Sequence, residues 1–220
     1  MNRTAGLQKW HYMVETPERA PVFPDGCRDV LIIQETGKRA KVVLTDFDLR
    51  PRTAELSPGT EITGYRLRPG SQVDPRVLNA IESRTESAEE ILGNELAMAN
   101  GLEAAIVALT LPGATVQSVS TDLGVAVRTL QRRFRDQGLP PPEYWRLLSR
   151  ARQAAGLLAG RLSLAEIAFL AGFSDQAHMT REFLRWFGGS PAQLRRSPAV
   201  LDLLAQPALG NWTGEQISTR

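Results

Sequence analysis

The spacing of apolar residues divides this sequence into a first part with the period of strands and a second part with the period of helices. Residues 1–74 hold four short runs rich in β-branched and aromatic residues. Turn-forming triplets that contain glycine separate these runs, a pattern typical of β-hairpins. We therefore predict a small β-rich unit, a sandwich or barrel, with strands over residues 10–14, 30–34, 41–45 and 61–67.

From Pro75 onward the apolar residues recur at helical spacing. Six of them predict one apolar stripe along a helix, or along two helices separated at Gly101: Leu92, Leu96, Ala99, Leu102, Ile106 and Leu109. Ser87 and Glu90 have the spacing of a capping box at the start of this segment. Ordinary core packing is the favoured interpretation of the stripe, and a dimer contact by residues 87–97 is the alternative.

A first helix-turn-helix pattern covers residues 115–138. Thr115 can cap a helix that ends near Gly124, and the helix that follows has apolar residues at i, i+3 and i+7. The opposite face of this second helix carries four polar residues at helical spacing: Arg128, Gln131, Arg132 and Arg135. Arginine donates to guanine or to phosphates and glutamine pairs with adenine, so this face has the chemistry of DNA recognition.

A second helix-turn-helix pattern covers residues 162–189. Ser163 and Glu166 form a predicted capping box, Gly172 allows a tight turn, and Ser174 is the expected N-cap of the helix that follows. The residues of that helix that face outward or lie at its edges are Ala177, His178, Thr180, Arg181 and Arg185.

Between the two patterns, apolar residues from position 144 to position 158 predict one continuous helix. A continuous helix fixes the separation of the units that it joins. Two recognition helices held in this way can enter successive major grooves on one face of DNA, about 34 Å apart.

Charge is unevenly distributed along the 220 residues. The chain has a net charge of +2, whereas residues 98–196 hold 12 Arg and no Lys against 7 acidic residues. The basic excess lies in the part with both helix-turn-helix patterns, as expected if the partner is a polyanion. A solvated charged surface explains the excess equally well.

Residues 98–196 resemble the DNA-binding domain of the AraC/XylS family of bacterial transcription regulators. The motifs that carry the resemblance are Leu123-Gly124-Val125, Leu130-Gln131-Arg132-Arg133-Phe134, Arg150, Ile167-Ala168, Ala171-Gly172-Phe173, Ser174-Asp175-Gln176, Phe183, Ser190-Pro191 and Arg195. This resemblance covers nearly half of the chain, and two helix-turn-helix patterns in register are far more specific than one.

The resemblance implies that DNA is contacted from positions six, three and two residues before a family phenylalanine. These positions are Arg128, Gln131 and Arg132 in the first pattern, and Ala177, Thr180 and Arg181 in the second, with Gln176 and His178 adjacent. Ala126 stands where the family prefers a serine N-cap, and Ala177 has little reach. We therefore expect the first recognition helix to discriminate between bases and the second mainly to position the protein.

Residues 23–32 and 64–70 resemble segments of a small N-terminal domain found in some members of this family. The resemblance implies a sensor module that is cupin-like or a β-sandwich, shorter here than a full sensor barrel. Cys27, the only cysteine, is expected to be a small buried residue beside a Pro-Asp-Gly turn. A redox or alkyl-acceptor role for Cys27 is the alternative.

Several function classes are not indicated. No apolar run reaches the length of a membrane span, the N-terminus has no apolar signal segment, and one cysteine excludes an internal disulfide. The sequence shows no phosphate-binding loop, nucleophile elbow or metal-ligand cluster. We therefore predict a protein of the cytoplasm, associated with the nucleoid, that is not an enzyme and holds no cofactor or metal.

These observations predict an α+β fold with a β-rich sensor or dimerisation domain over residues 1–86. A linker helix over 87–97, a double helix-turn-helix domain over 98–196 and a tail over 197–220 are expected to follow. The tail contains apolar residues near 200–204 that suggest one short helix.

The predicted function is sequence-specific DNA binding by a transcription regulator, for which the family favours activation. Double-stranded DNA is the predicted partner. RNA polymerase, an unidentified small-molecule effector and a second copy of the chain are further partners that the sequence leaves open. A protein-interaction module with weak or regulated DNA binding and a sensor that uses Cys27 are the alternative functions.

Overall fold

The computed structural model describes residues 6–96 and 101–212. Residues 6–96 form an N-terminal unit of strands and helices, and residues 101–212 form a helical unit. The strands are β1 (Leu7–Met13), β2 (Glu18–Val22), β3 (Asp29–Glu35), β4 (Lys41–Leu44), β5 (Arg52–Leu56) and β6 (Thr60–Leu67). A β-rich region therefore precedes a helical one, which confirms the predicted α+β fold class.

Four strands form an antiparallel sheet in the order β1-β6-β3-β4. Val30 of β3 lies opposite Tyr65 of β6, so the two side chains share one face of the sheet. This face is covered by α1 (Pro75–Ser83) and α2 (Ala88–Leu96), and Leu92 of α2 is fully buried against it. The apolar alternation of the strands thus gives the N-terminal unit a core of its own.

The apolar pattern missed two strands. β2 and β5 pair with each other in a separate two-stranded antiparallel sheet. None of the ten residues in this pair is buried, and three of the five in each strand are exposed. Strands that bury no apolar face lack the period of two by which strands are recognised in a sequence.

Residues 87–97, predicted as a linker helix, contribute α2 to the N-terminal core, where Leu92 and Leu96 are buried. Ser87 ends a short 3-10 turn, Thr85–Ser87, which runs directly into α2. Ser87 therefore lies in a helical turn and not at the extended N-cap position that the predicted capping box requires.

The helices of the helical unit are α3 (Glu103–Leu109), α4 (Val116–Asp122), α5 (Val127–Asp136), α6 (Pro142–Gly156), α7 (Leu164–Leu170), α8 (Gln176–Phe187), α9 (Pro191–Arg195) and α10 (Pro198–Ala205). Its core centres on α6, whose Trp145 and Leu148 are fully buried. Leu102, Ile106 and Leu109 join this core, so the predicted apolar stripe divides between the two units. Ala99 of that stripe lies outside the described residues.

The C-terminal segment packs onto both units as far as the structure describes it. The short helix expected near residues 200–204 is present as α10, and Leu204 is buried. Leu209 is also buried, and its backbone N–H donates to the carbonyl oxygen of Asp25 at 2.9 Å. Every helix in residues 6–96 and 101–212 is too short or too polar to span a lipid bilayer.

Candidate nucleic-acid interface

The first helix-turn-helix unit is formed by α4 and α5. Thr115 caps α4, because its Oγ1 accepts from the Ser118 backbone N–H at 2.9 Å and Ser118 Oγ accepts from the Thr115 N–H at 3.0 Å. Gly124 makes the turn with a φ of +64°, a conformation that favours glycine. Ala126 is the N-cap of α5 and offers no side-chain cap, so this helix begins without the hydrogen bond that a serine would supply.

One face of α5, called here the α5 polar face, is exposed and basic. Its members are the four residues that the sequence singled out, Arg128, Gln131, Arg132 and Arg135, and all four are exposed. On the opposite side of the helix, Leu130 and Phe134 are fully buried. The structure therefore brings the predicted residues together on one solvent-facing surface.

The second helix-turn-helix unit is formed by α7 and α8. Ser163 and Glu166 make the predicted capping box: Ser163 Oγ accepts from the Glu166 N–H at 3.2 Å, and Glu166 Oε2 accepts from the Ser163 N–H at 2.7 Å. Hydrogen bonds from Ser163 lower the pKa of the Glu166 carboxyl. Gly172 then turns the chain with a φ of +72°, and Phe173 is buried directly after it.

The N-cap of α8 is Asp175 and not Ser174, which corrects the prediction from sequence. Asp175 Oδ1 accepts from the backbone N–H of His178 at 2.6 Å, and this hydrogen bond lowers the pKa of the Asp175 carboxyl. Ser174 Oγ lies 3.0 Å from Nδ1 of the His178 ring instead. Serine and aspartate are both good caps, so their types alone do not decide which of two adjacent residues starts a helix.

The outward side of α8 offers fewer polar groups than the α5 polar face. Gln176, Ala177 and Arg181 are exposed, whereas His178 and Thr180 are partly buried. Thr180 Oγ1 donates to the carbonyl oxygen of Gln176 at 2.9 Å, which occupies its hydroxyl proton. The long, exposed cations of this helix are therefore Arg181, beside an alanine that can only make apolar contact, and Arg185 near its C-terminal end.

Two arginines fix the second unit against the helix that precedes it. The Arg150 guanidinium of α6 lies over the Phe173 ring, 4.5 Å from the ring centroid. Arg195 donates to the carbonyl oxygens of Leu158 and Leu162 at 3.1 and 2.8 Å. Arg150 and Arg195 are both among the motif residues that carry the family resemblance. Residue spacing alone did not predict that they pack the second unit against α6.

Cys27 is buried, as its structural interpretation predicted. Burial raises the pKa of the Cys27 thiol well above its ordinary value, and the carboxyl of Asp25 adds to the effect. The reactive thiolate is therefore disfavoured, which argues against a redox or alkyl-acceptor role. In residues 6–96 and 101–212, no group of three or more His, Cys, Asp or Glu side chains is placed to hold a metal ion.

Comparison with known proteins assigns the helical unit. Residues 103–197 match a family model described as a helix-turn-helix domain. The HTH-type transcriptional regulator VirS of Mycobacterium tuberculosis is 36% identical over 81 residues, which are 37% of this chain and 24% of VirS. The HTH-type transcriptional regulator RipA of Corynebacterium glutamicum is 41% identical over 70 residues, which are 31% of this chain and 21% of RipA.

The matched part of this chain thus spans about a quarter of the length of these curated relatives. Among solved structures, ToxT from Vibrio cholerae matches with 10% identity and a TM-score of 0.45, over 86% of this chain and 98% of that chain. The family model covers both units built from α4–α5 and α7–α8, with their turns and caps in place. Residues 103–197 of this chain therefore form a helix-turn-helix domain of the AraC type.

Proposed function

We propose that this protein is a sequence-specific transcription regulator that inserts α5 and α8 into successive major grooves of DNA. The observation that carries the proposal is the α5 polar face, which lies exposed inside a domain of the AraC/XylS family. Its arginines and glutamine are the side chains that pair most readily with the edges of guanine and adenine. We propose further that it acts in the cytoplasm, on the nucleoid.

The two recognition helices contribute unequally in this proposal. Arg128, Gln131 and Arg132 of α5 supply the base discrimination, because their long polar side chains are exposed. Arg181 of α8 supplies mainly phosphate contact, which positions the protein without specifying sequence.

The N-terminal unit is proposed to connect DNA binding to a signal. A small-molecule effector, RNA polymerase or a second copy of the chain are the partners through which a regulator of this family would activate transcription. VirS and RipA, which match part of this chain, are named HTH-type transcriptional regulators, and this supports a role in regulation.

The proposal is tested by selecting bound fragments from a pool of genomic DNA with the full chain, and by repeating the selection with variants. Arg132→Ala should weaken binding to the selected site by about 1–3 kcal/mol and should relax the base preference at one position. Arg133→Ala is the matched control, because Arg133 is an exposed arginine of the same helix that lies off the α5 polar face.

The control variant should keep the base preference and lose affinity only through its charge. The proposal fails if the wild-type chain enriches no sequence from the pool. The assignment of the two helices is reversed if Arg132→Ala keeps the base preference while Arg181→Ala relaxes it.

A further inference from the structure

The N-terminal unit contacts three separate parts of the helical unit. These parts are α3, which packs beside the first helix-turn-helix unit, the connecting helix α6, and the end of the second recognition helix α8. A rigid body that contacts both halves of a double helix-turn-helix domain restricts how those halves move against each other.

The contact with α3 joins the end of β6 to the first half of the domain. Arg68 Nη2 lies 2.6 Å from Glu103 Oε2, in an ion pair that is only partly exposed. The backbone of Gly70 packs directly on Ile106, because a Cβ atom built on Gly70 would lie 2.1 Å from Ile106 Cδ1. The N-terminal unit therefore holds α3 through one charged pair and one close backbone contact.

The contact with α6 involves the loop between β4 and β5. The Tyr144 hydroxyl donates to the carbonyl oxygen of Asp48 at 3.0 Å. Next to it, the ring of Phe47 meets the buried Trp145 edge to face, with ring centroids 5.5 Å apart. Both aromatic residues of α6 lie in its first turn, so this loop fixes the end of α6 that follows the first unit.

The contact with α8 is made at the C-terminal end of the recognition helix. Phe23 meets Phe187 edge to face, with ring centroids 6.2 Å apart. Pro51 Cγ lies 3.4 Å from the position that a Cβ on Gly188 would occupy, so the chain packs closely where α8 ends. The N-terminal unit thus reaches the second half of the domain as well as the first.

A buried group of charges lies at the joint, beside the C-terminal half of α6. Arg66 forms ion pairs with Asp25 at 3.1 Å and with Asp29 at 3.3 Å. Burial raises the pKa of the Asp25 carboxyl, whereas the charges of Arg66 and of the buried Arg152 of α6 lower it. Arg152 is the member of this group that belongs to the helical unit, so its attraction to Asp25 acts across the joint.

We propose that the N-terminal unit positions the two recognition helices, so that the protein selects the spacing between the two halves of its DNA site. The inference rests on the proposed function. Without the N-terminal unit, only α6 and the short segments at its ends would fix the position of α5 relative to α8. Each base pair inserted between half-sites rotates one half by about 34–36°, so a rigid domain binds one spacing best.

The test is a series of DNA duplexes that carry the selected site with zero, one, two or five base pairs inserted between its halves. The variant Arg68→Gln/Tyr144→Phe removes the ion pair with Glu103 and the hydrogen bond to Asp48. The control Arg19→Gln/Tyr12→Phe makes the same chemical changes within the N-terminal unit. Arg19 is an exposed arginine paired with Glu55, and Tyr12 is a partly buried tyrosine whose hydroxyl donates to Glu18.

Wild type and control should bind the uninserted site about tenfold more tightly than the duplex with one insertion, which corresponds to about 1.4 kcal/mol. For the variant this ratio should fall to about twofold, since the N-terminal unit then loses one polar contact with α3 and one with α6. Binding to an isolated half-site should be the same for all three proteins. If the variant unfolds at the assay temperature, Tyr144→Phe alone, which removes one oxygen atom, makes the same comparison.

An unchanged spacing ratio in the variant would overturn the inference while leaving the proposed function intact. Tighter binding of the variant to every duplex would also overturn it, because the N-terminal unit would then restrain DNA binding. Failure of the wild-type chain to bind any duplex would refute the proposed function itself.

Discussion

Two neighbouring side chains before α8 have different hydrogen-bond partners, and this difference determines how the second recognition helix begins. Asp175 accepts from the backbone N–H of His178, whereas Ser174 lies against the side chain of that histidine. A negative charge at a helix N-terminus is also favoured by the helix dipole. Asp175 therefore stabilises the helix, while Ser174 orients a ring at the outer edge of the unit.

Substitution of these two residues should separate the roles. Asp175→Ala removes the cap, and we expect it to lower the melting temperature of the protein by a few degrees. Ser174→Ala should leave the melting temperature nearly unchanged, because Ser174 caps no backbone group. Thermal unfolding followed by circular dichroism measures both variants. A larger decrease for Ser174→Ala would show that the cap lies one residue earlier.

For individual residues, the sequence predicted which side chains share a helix face, but it did not predict every hydrogen bond. Helical spacing placed Arg128, Gln131 and Arg132 together, because the period of the helix fixes the direction of each side chain. The capping box at Ser163 also formed as predicted. The cap of α8 and the ring contact of Arg150 depend on backbone angles and tertiary packing, which residue types do not specify.

The elements that carry the recognition helices are held by close backbone packing as well as by side chains. Gly70, with a φ of +81°, lies against Ile106 of α3 with no room for a side chain. Gly124, in the turn before α5, has a similar φ of +64° but no atom near the position of a Cβ. The two glycines therefore share a backbone conformation and differ in their surroundings.

Alanine at each of these glycines should separate conformational strain from packing. Gly124→Ala should reduce the free energy of unfolding by about 1–2 kcal/mol, the cost of a left-handed residue with a side chain. Gly70→Ala should cost about 1–3 kcal/mol more, because its methyl group would overlap Ile106. Unfolding in urea measures both values. Equal losses of unfolding free energy in the two variants would mean that Gly70 does not pack closely against α3.

Strands and helices with a clear apolar period could be predicted from the sequence, whereas elements without one could not. Strands β3, β4 and β6 and all the helices of both helix-turn-helix units follow strong apolar periods. β2 and β5 bury no apolar face, so their sequences carry no period. The burial of α2 against the sheet was also not predictable, because an apolar stripe shows that a helix packs but not against which partner.

In the whole molecule, the basic charge and the polar recognition face lie in the helical unit, while the N-terminal unit contributes contacts across it. Residues 98–196 hold 12 Arg and no Lys, and arginine suits both base edges and phosphates. The arrangement of the two units followed from contacts between residues far apart in the sequence, such as the hydrogen bond from Tyr144 to Asp48. Sequence periodicity contains no information on such long-range pairs.

Methylation interference at guanine N7, which lies in the major groove, tests most directly whether the two recognition helices enter successive grooves. On the selected site, the full chain should show two patches of interference on one face of the duplex, with centres about 10–10.5 base pairs apart. The patch under α5 should contain the stronger effects and should weaken in Arg132→Ala. A single patch, or two patches separated by an odd number of half turns, would contradict the account.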